Sequence, residues 1–175
     1  GIYDAVGDKI REIFHQADMN IRIYDPQTDL LHFPYVTGNG QRIIVESGLL
    51  GDYGFSSHVI RTRETVVINE NMAQAYKKYR SSNLPGGGMP KSSVLVPLVA
   101  GDQCRGLITL HDMQREHAFT ESDVRLLQTL ANSMSVALEN AHSSMRPSAC
   151  SKRPRNALLN CPSSTVCKKG WHPNW

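Results

Sequence analysis

The sequence predicts an α+β fold, in which a central antiparallel sheet carries helices on both faces and a long helix closes the domain. Three observations carry this prediction. The unbroken apolarity of "VLVPLV" requires a strand covered on both sides. A short "GDQ" link joins that run to a second one, "CRGLITLH", and so short a link connects only antiparallel neighbours. From Val124 onward, apolar residues return at alternating steps of three and four, the mark of a helix with a seam.

In chain order, Ile2, Val6, Ile10, Ile13 and Phe14 recur at helical spacing and predict an amphipathic helix over residues 2–15. "MNIRIYD" then alternates, with Ile21 and Ile23 on one face and Arg22 and Tyr24 on the other. "PQTD" supplies turn chemistry before a second strand, "LLHFPYV". Residues 38–53 are rich in glycine, and "RIIVE" there is expected to add an edge strand. "GFSSHVIRTRE" fits a short helix, "TVVIN" a short strand and "ENMAQAYKKY" another helix. "RSSNLPGGGMPK", with three glycines and two prolines, is by composition a mobile loop before the hairpin. Thr120 stands three residues before Asp123, a capping-box start for the closing helix. Its seam is Val124, Leu127, Ala131, Met134, Leu138 and Ala141; Leu126, Leu130 and Ala137 form a second stripe, so this helix has two surfaces to cover.

The 175 residues suffice for one domain with a real core and are too few for two comfortable ones. Charge is unevenly placed: residues 1–142 hold 13 Lys/Arg against all 16 acids, a formal −3, while the last 33 residues hold the other 6 basic side chains. A nucleic-acid partner would rest on that tail alone and is not expected. No run approaches the length of a membrane span and no charged-then-apolar leader opens the chain, which sets a cytoplasmic expectation with no membrane partner. Cys104 is the one cysteine of residues 1–142, so no disulfide framework is expected there. The chain opens at Gly1 inside an amphipathic pattern and reads as part of something longer. Residues 143–175, with both tryptophans and the other three cysteines, depart from everything before them. They read as a disordered, non-native tail, the product of a shifted reading frame over what would be a helical linker. Cys150, Cys161, Cys167 and His172 lack the paired short spacing of structural zinc sites, so no metal is expected.

"SSVLVPLVAGDQCRGLITLHDMQREHAFTESDVRLLQTLANSMSVALENA" resembles the C-terminal half of a GAF domain, and the likeness extends over residues 1–142. The resemblance implies a GAF-type sheet, and a role as a small-molecule sensor or dimerising spacer of the kind found in bacterial sensor histidine kinases and nucleotide cyclases. It also implies a ligand site between the sheet and the short helices and loops of residues 54–93, with the loop at 80–91 folding over it. Candidate wall residues are Tyr35, His58, Asn69, Ser92, Ser93 and Thr109, each polar beside an apolar strand or helix and each equally suited to a structural hydrogen bond. The ligand and any cofactor are left unspecified. Members that bind cyclic nucleotides carry an Asn-Lys pair after the last strand, then a Phe and an Asp-Glu pair. Phe119 and Asp123 match, but His111, Asp112 and Met113 end the strand and Val124 replaces the glutamate, so cyclic AMP or GMP is not expected. Phe119 reads as a core plug and Asp123 as a charge at a helix N-terminus. Bilin-binding members use a cysteine anchor, whereas Cys104 is expected in the hairpin turn, facing solvent. Members that reduce methionine sulfoxide need a second, resolving thiol, which residues 1–142 lack.

Other patterns have plainer readings. "GGGMPKSS" mimics a phosphate loop, but Pro90 precedes Lys91 and a strand follows, so no helix N-terminus faces a phosphate. His111, Asp112, Glu116 and His117 fit a solvated connection better than a metal site. No arrangement of nucleophile and base emerges, so no catalytic residue is named and a regulatory domain is expected rather than an enzyme. Two functions remain open. One is a sensing domain that also forms a homodimer through its terminal helices; the other is a ligand-free dimerisation spacer. Either way the seam from Val124 to Ala141 is the expected interface, and Leu127→Lys with Leu138→Lys is expected to give a monomer.

Overall fold

Helix α1 (Ile2–Phe14) is followed by strands β1 (Asp18–Asp25) and β2 (Leu30–Gly38) and two short strands, β3 (Gln41–Arg42) and β4 (Gly48–Leu49). Helix α2 (Phe55–Thr62), strand β5 (Val66–Ile68) and helix α3 (Met72–Tyr79) lead into the hairpin of β6 (Ser92–Ala100) and β7 (Gln103–Asp112), and helix α4 (Glu121–Ser144) closes the domain. This is a computed structural model, and it describes residues 1–15 and 18–144. The frameshift, disorder and zinc readings of the tail concern residues 143–175, of which only 143 and 144 are described, as the last residues of α4; the rest lie outside the described residues.

The sheet runs in the order β3-β2-β1-β7-β6-β5, with β4 added to β2, and its pairs are antiparallel. Strand β6 is buried over its first seven residues, as its unbroken apolarity demands. Pro97, which cannot donate to a ladder, falls beyond the end of β5, whose last partner toward that side is Leu95. On one face, Met19, Ile21, Val94, Val96, Ile108 and Leu110 form a core beneath α1 and α4. Gly7 lets α1 lie flat on Tyr35, since a Cβ there would stand 2.5 Å from the ring. On the other face, Leu31, Leu95 and Leu107 meet Phe55, Val59 and Ile60 of α2 and Met72 of α3.

The capping box forms as expected: the Thr120 amide donates to Asp123 Oδ2 at 2.8 Å and the Asp123 amide to Thr120 Oγ1 at 3.2 Å. Phe119 is a buried member of the core under α4.

Three expectations need correction. Leu127, Ala131 and Met134 are at most 2% exposed within this one chain, and Val124 and Leu138 pack on the same cluster, so the seam covers the domain's own sheet; Ala141 alone of the six lies exposed. A helix resting on a sheet shows the same three-and-four spacing as one resting on a partner helix. "RIIVE" contributes only Arg42 to the sheet; the Ile43 amide still donates to the Val36 carbonyl of β2 at 2.9 Å, and Ile44 beyond it is 97% exposed. Cys104 is buried rather than facing solvent, with its thiol donating to the Gly106 carbonyl at 3.1 Å. The turn is tighter than expected, because Ala100 already pairs with Gln103. A bulge at Leu98/Val99 then turns Cys104 onto the same face as Leu107.

Candidate functional site

The face of the sheet that bears α2 and α3 is only partly covered by them. At its far end residues 81–88 form a roof and residues 38–45 a side wall, and between them and the sheet lies a cavity of about 190 Å³. The period-two rise of a strand decides what the floor presents. Asp18, Asn20 and Arg22 of β1 point down into it, opposite Met19 and Ile21 in the core beneath α1. Register places Asp18 beside His111 of β7 and His111 beside Ser93 of β6, so one polar row crosses three strands. Phe55, Tyr76 and Leu95 supply the apolar side of the floor.

These polar groups form a directed chain. Arg22 can only donate, and its Nε gives a 2.8 Å hydrogen bond to Asn20 Oδ1, which turns the Asn20 amide nitrogen toward His111. That nitrogen lies 3.5 Å from His111 Nε2, making Nε2 the acceptor and leaving the proton of the neutral ring on Nδ1, 2.7 Å from Ser93 Oγ. Ser93 thus accepts from the ring and keeps its own hydroxyl hydrogen for another acceptor. Burial, reinforced by the nearby Arg22 charge, holds His111 neutral, its pKa pushed down to about 3.

Arg22 is the unusual member. Opposite it, β1 and β2 slip in register between Ile21 and Ile23, a bulge that accommodates Pro34 in β2. The guanidinium lies over the Phe33 ring, 5.6 Å from its centre, and Nη1 donates to Ser56. Gly106 permits this close approach of β7, since a Cβ there would stand 2.0 Å from the Arg22 carbonyl oxygen. Desolvation lowers the Arg22 pKa to about 10, and the opposing influence comes from Tyr76 rather than from a carboxylate. Among the described residues Arg22 has no acidic partner.

Of the six expected wall residues, only Ser93 lines this cavity. Tyr35 is fully buried on the opposite face, with its hydroxyl donating to Asp8 Oδ1 at 2.7 Å. His58 packs edge-on against Tyr79, 4.9 Å between ring centres. Asn69 ties β5 to the segment before α4 by donating to the Phe119 carbonyl at 2.9 Å, and Ser92 donates to the Arg115 carbonyl at 2.6 Å. Thr109 is completely buried between Asn20 and Leu95 in register, and its Oγ1 has no hydrogen-bond partner. Asn20, Arg22 and His111 were missed as a set. The signal was an Asp-x-Asn-x-Arg alternation on a strand that must be central and covered on both faces. The other acids and histidines of that stretch disperse: Asp112 pairs with Arg115 at 3.1 Å and His117 with Glu70 at 3.2 Å.

A family model described as GAF domain matches residues 1–139. No curated protein matches the chain. Among solved structures, the chain is similar to the GAF domain of an Acinetobacter phosphoenolpyruvate-protein phosphotransferase, at 21% identity and a TM-score of 0.65, covering 79% of this chain and 81% of that one. Residues 122 to 287 of a methyl-accepting chemotaxis protein match at 16% identity and a TM-score of 0.69, over 80% of this chain and 88% of the other. Free methionine-R-sulfoxide reductase from Neisseria meningitidis, in complex with its substrate, matches at 17% identity and a TM-score of 0.64, over 82% and 78%. At these identities the likeness is one of fold.

Proposed function

The chain belongs to the GAF domain family, and from that membership we propose that it is a small-molecule-sensing input domain of a cytoplasmic signal-transduction protein. The observation that carries this reading is the polar floor of Asn20, Arg22, Ser93 and His111 beneath a roof of small and flexible residues, among them Gly86, Gly87 and Gly88. Buried polar groups are costly on a sheet face unless they serve a partner, and a roof with few packed apolar residues opens at low cost. The structure from a methyl-accepting chemotaxis protein agrees with a signalling role. Catalysis of the reductase kind is not proposed, because Cys104 is the one cysteine among the described residues and it lies away from the cavity. No helix among the described residues is long and apolar enough to cross a membrane.

The route from cavity to output is short. Ser93 faces the cavity, while the next residue, Val94, packs in the core beneath α4. A ligand that draws residues 80–91 onto the floor moves β6 against α4 and shifts how that helix meets whatever it touches. The coupling available is on the order of 1–3 kcal/mol. A thermal-shift screen of the full chain against small metabolites tests the reading: a sensor melts higher with one class of compound.

A ligand-free dimerising spacer is the second reading, favoured by the apolar side chains that stay uncovered on the terminal helices: Ile2 (41%), Leu126 (41%) and Val136 (56%). A screen with no shift, together with a dimer that depends on these side chains, decides for the spacer.

A further inference from the structure

Resting on the sensing reading, we propose that the cavity takes a small organic carboxylate, with its charged end on Arg22 and its body against Phe55, Tyr76 and Leu95. The guanidinium stands in the floor without an acid to neutralise it, a state that costs stability unless an anion arrives. Its Nε and one Nη1 hydrogen are engaged by Asn20 and Ser56, which fix the plane of the fork. The Nη2 edge is left for a ligand, and a planar two-oxygen anion matches it better than a spherical one.

The rest of the floor agrees in sign. Ser93 offers a hydroxyl hydrogen, because in its bond with His111 the ring Nδ1–H is the donor and the serine oxygen accepts. His111 stays neutral and so brings no competing charge. Asp18, an acid lining the same cavity, lies four residues from Arg22 on the same strand, about 13 Å along it. An anion therefore settles at the Arg22 end. Size sets the other limit: a cavity of about 190 Å³ is a little larger than the roughly 150 Å³ that accepts benzene. That suits a single ring or a short chain bearing one carboxylate.

Titration calorimetry of the full chain with benzoate and butyrate, against benzamide and butyramide, tests this. The acids are expected to bind about tenfold or more tighter than the amides of the same shape, the scale of a lost charged hydrogen-bond pair. Arg22→Met should erase that preference without lowering the melting temperature, since it removes an unpaired buried charge. Arg22→Lys should keep only part of the preference, because it retains the charge and loses the fork. Ser93→Ala should weaken the acids a few-fold. Equal binding of acids and amides overturns the carboxylate assignment and leaves the sensing reading standing. Binding of neither, with no response in the metabolite screen, overturns both. An Arg22→Met chain that melts well below the parent makes Arg22 a structural residue and overturns the assignment.

Discussion

His111 shows how one side chain can be read as chemistry only after its neighbours are placed. On the sequence it stands next to Asp112, near Glu116 and His117, and reads as part of a solvated connection; in the fold its ring is half-buried at the cavity, held between Asn20 and Ser93. The consequence is a pH dependence with a definite sign. Its pKa falls from 6.5 to about 3 on folding, so the unfolded chain binds the extra proton between those values and acid favours unfolding. Stability owed to the neutral ring is complete above pH 6.5 and is lost, as pH falls toward 3, at up to about 1.4 kcal/mol per pH unit. Asp4 and Asp25, whose carboxyls are held below the usual range of 3.8 by hydrogen bonds, add to acid lability only lower down. Urea melts of the parent and of His111→Gln between pH 7 and pH 4.5 separate the two, with the pH on the order of the histidine range chosen for that purpose. The parent's slope should be steeper; parallel slopes would mean that the ring is protonated in the folded state.

At the scale of the element, α4 carries the clearest difference between spacing and contact. Its six-residue seam was legible, and so were its capping box and its length, because helical periodicity and N-cap chemistry are local properties. What the seam faces is not local. Leu127 rests on the sheet with none of its surface exposed, so Leu127→Lys buries a charge and should unfold the domain rather than yield a folded monomer. Leu126→Glu combined with Val136→Glu, on the exposed stripe, should leave the melting temperature within a few degrees of the parent. Sedimentation of that variant reports whether the stripe holds a dimer together: a parent dimer that becomes monomeric assigns the interface here, and a dimer that persists places it elsewhere. Strands were similarly legible by alternation, yet both bulges escaped. The one in β7 turns Cys104 inward, and the one in β2, opposite Arg22, turns Tyr35 onto the face under α1. A bulge alters parity without altering composition, which is why Tyr35 is expected at a wall that it does not reach, whereas Arg22 keeps the face that alternation gives it.

Across the whole molecule, three layers divide the labour. The face under α1 and α4 is a continuous apolar core, and the face under α2 and α3 is apolar only until the cavity begins. One sheet separates them, so β6 and β7 present the cavity on one side and α4 on the other. That arrangement makes the cavity and the closing helix neighbours through a single strand's thickness, and it is the basis for regarding the domain as a sensor. Amide hydrogen exchange of the full chain, with and without the compound giving the largest shift in the thermal screen, tests this most directly. The account predicts slowed exchange across residues 81–88 together with altered exchange across residues 127–138 of α4. Unchanged exchange in residues 81–88 at saturating compound, or protection confined to surfaces away from the cavity, would contradict it.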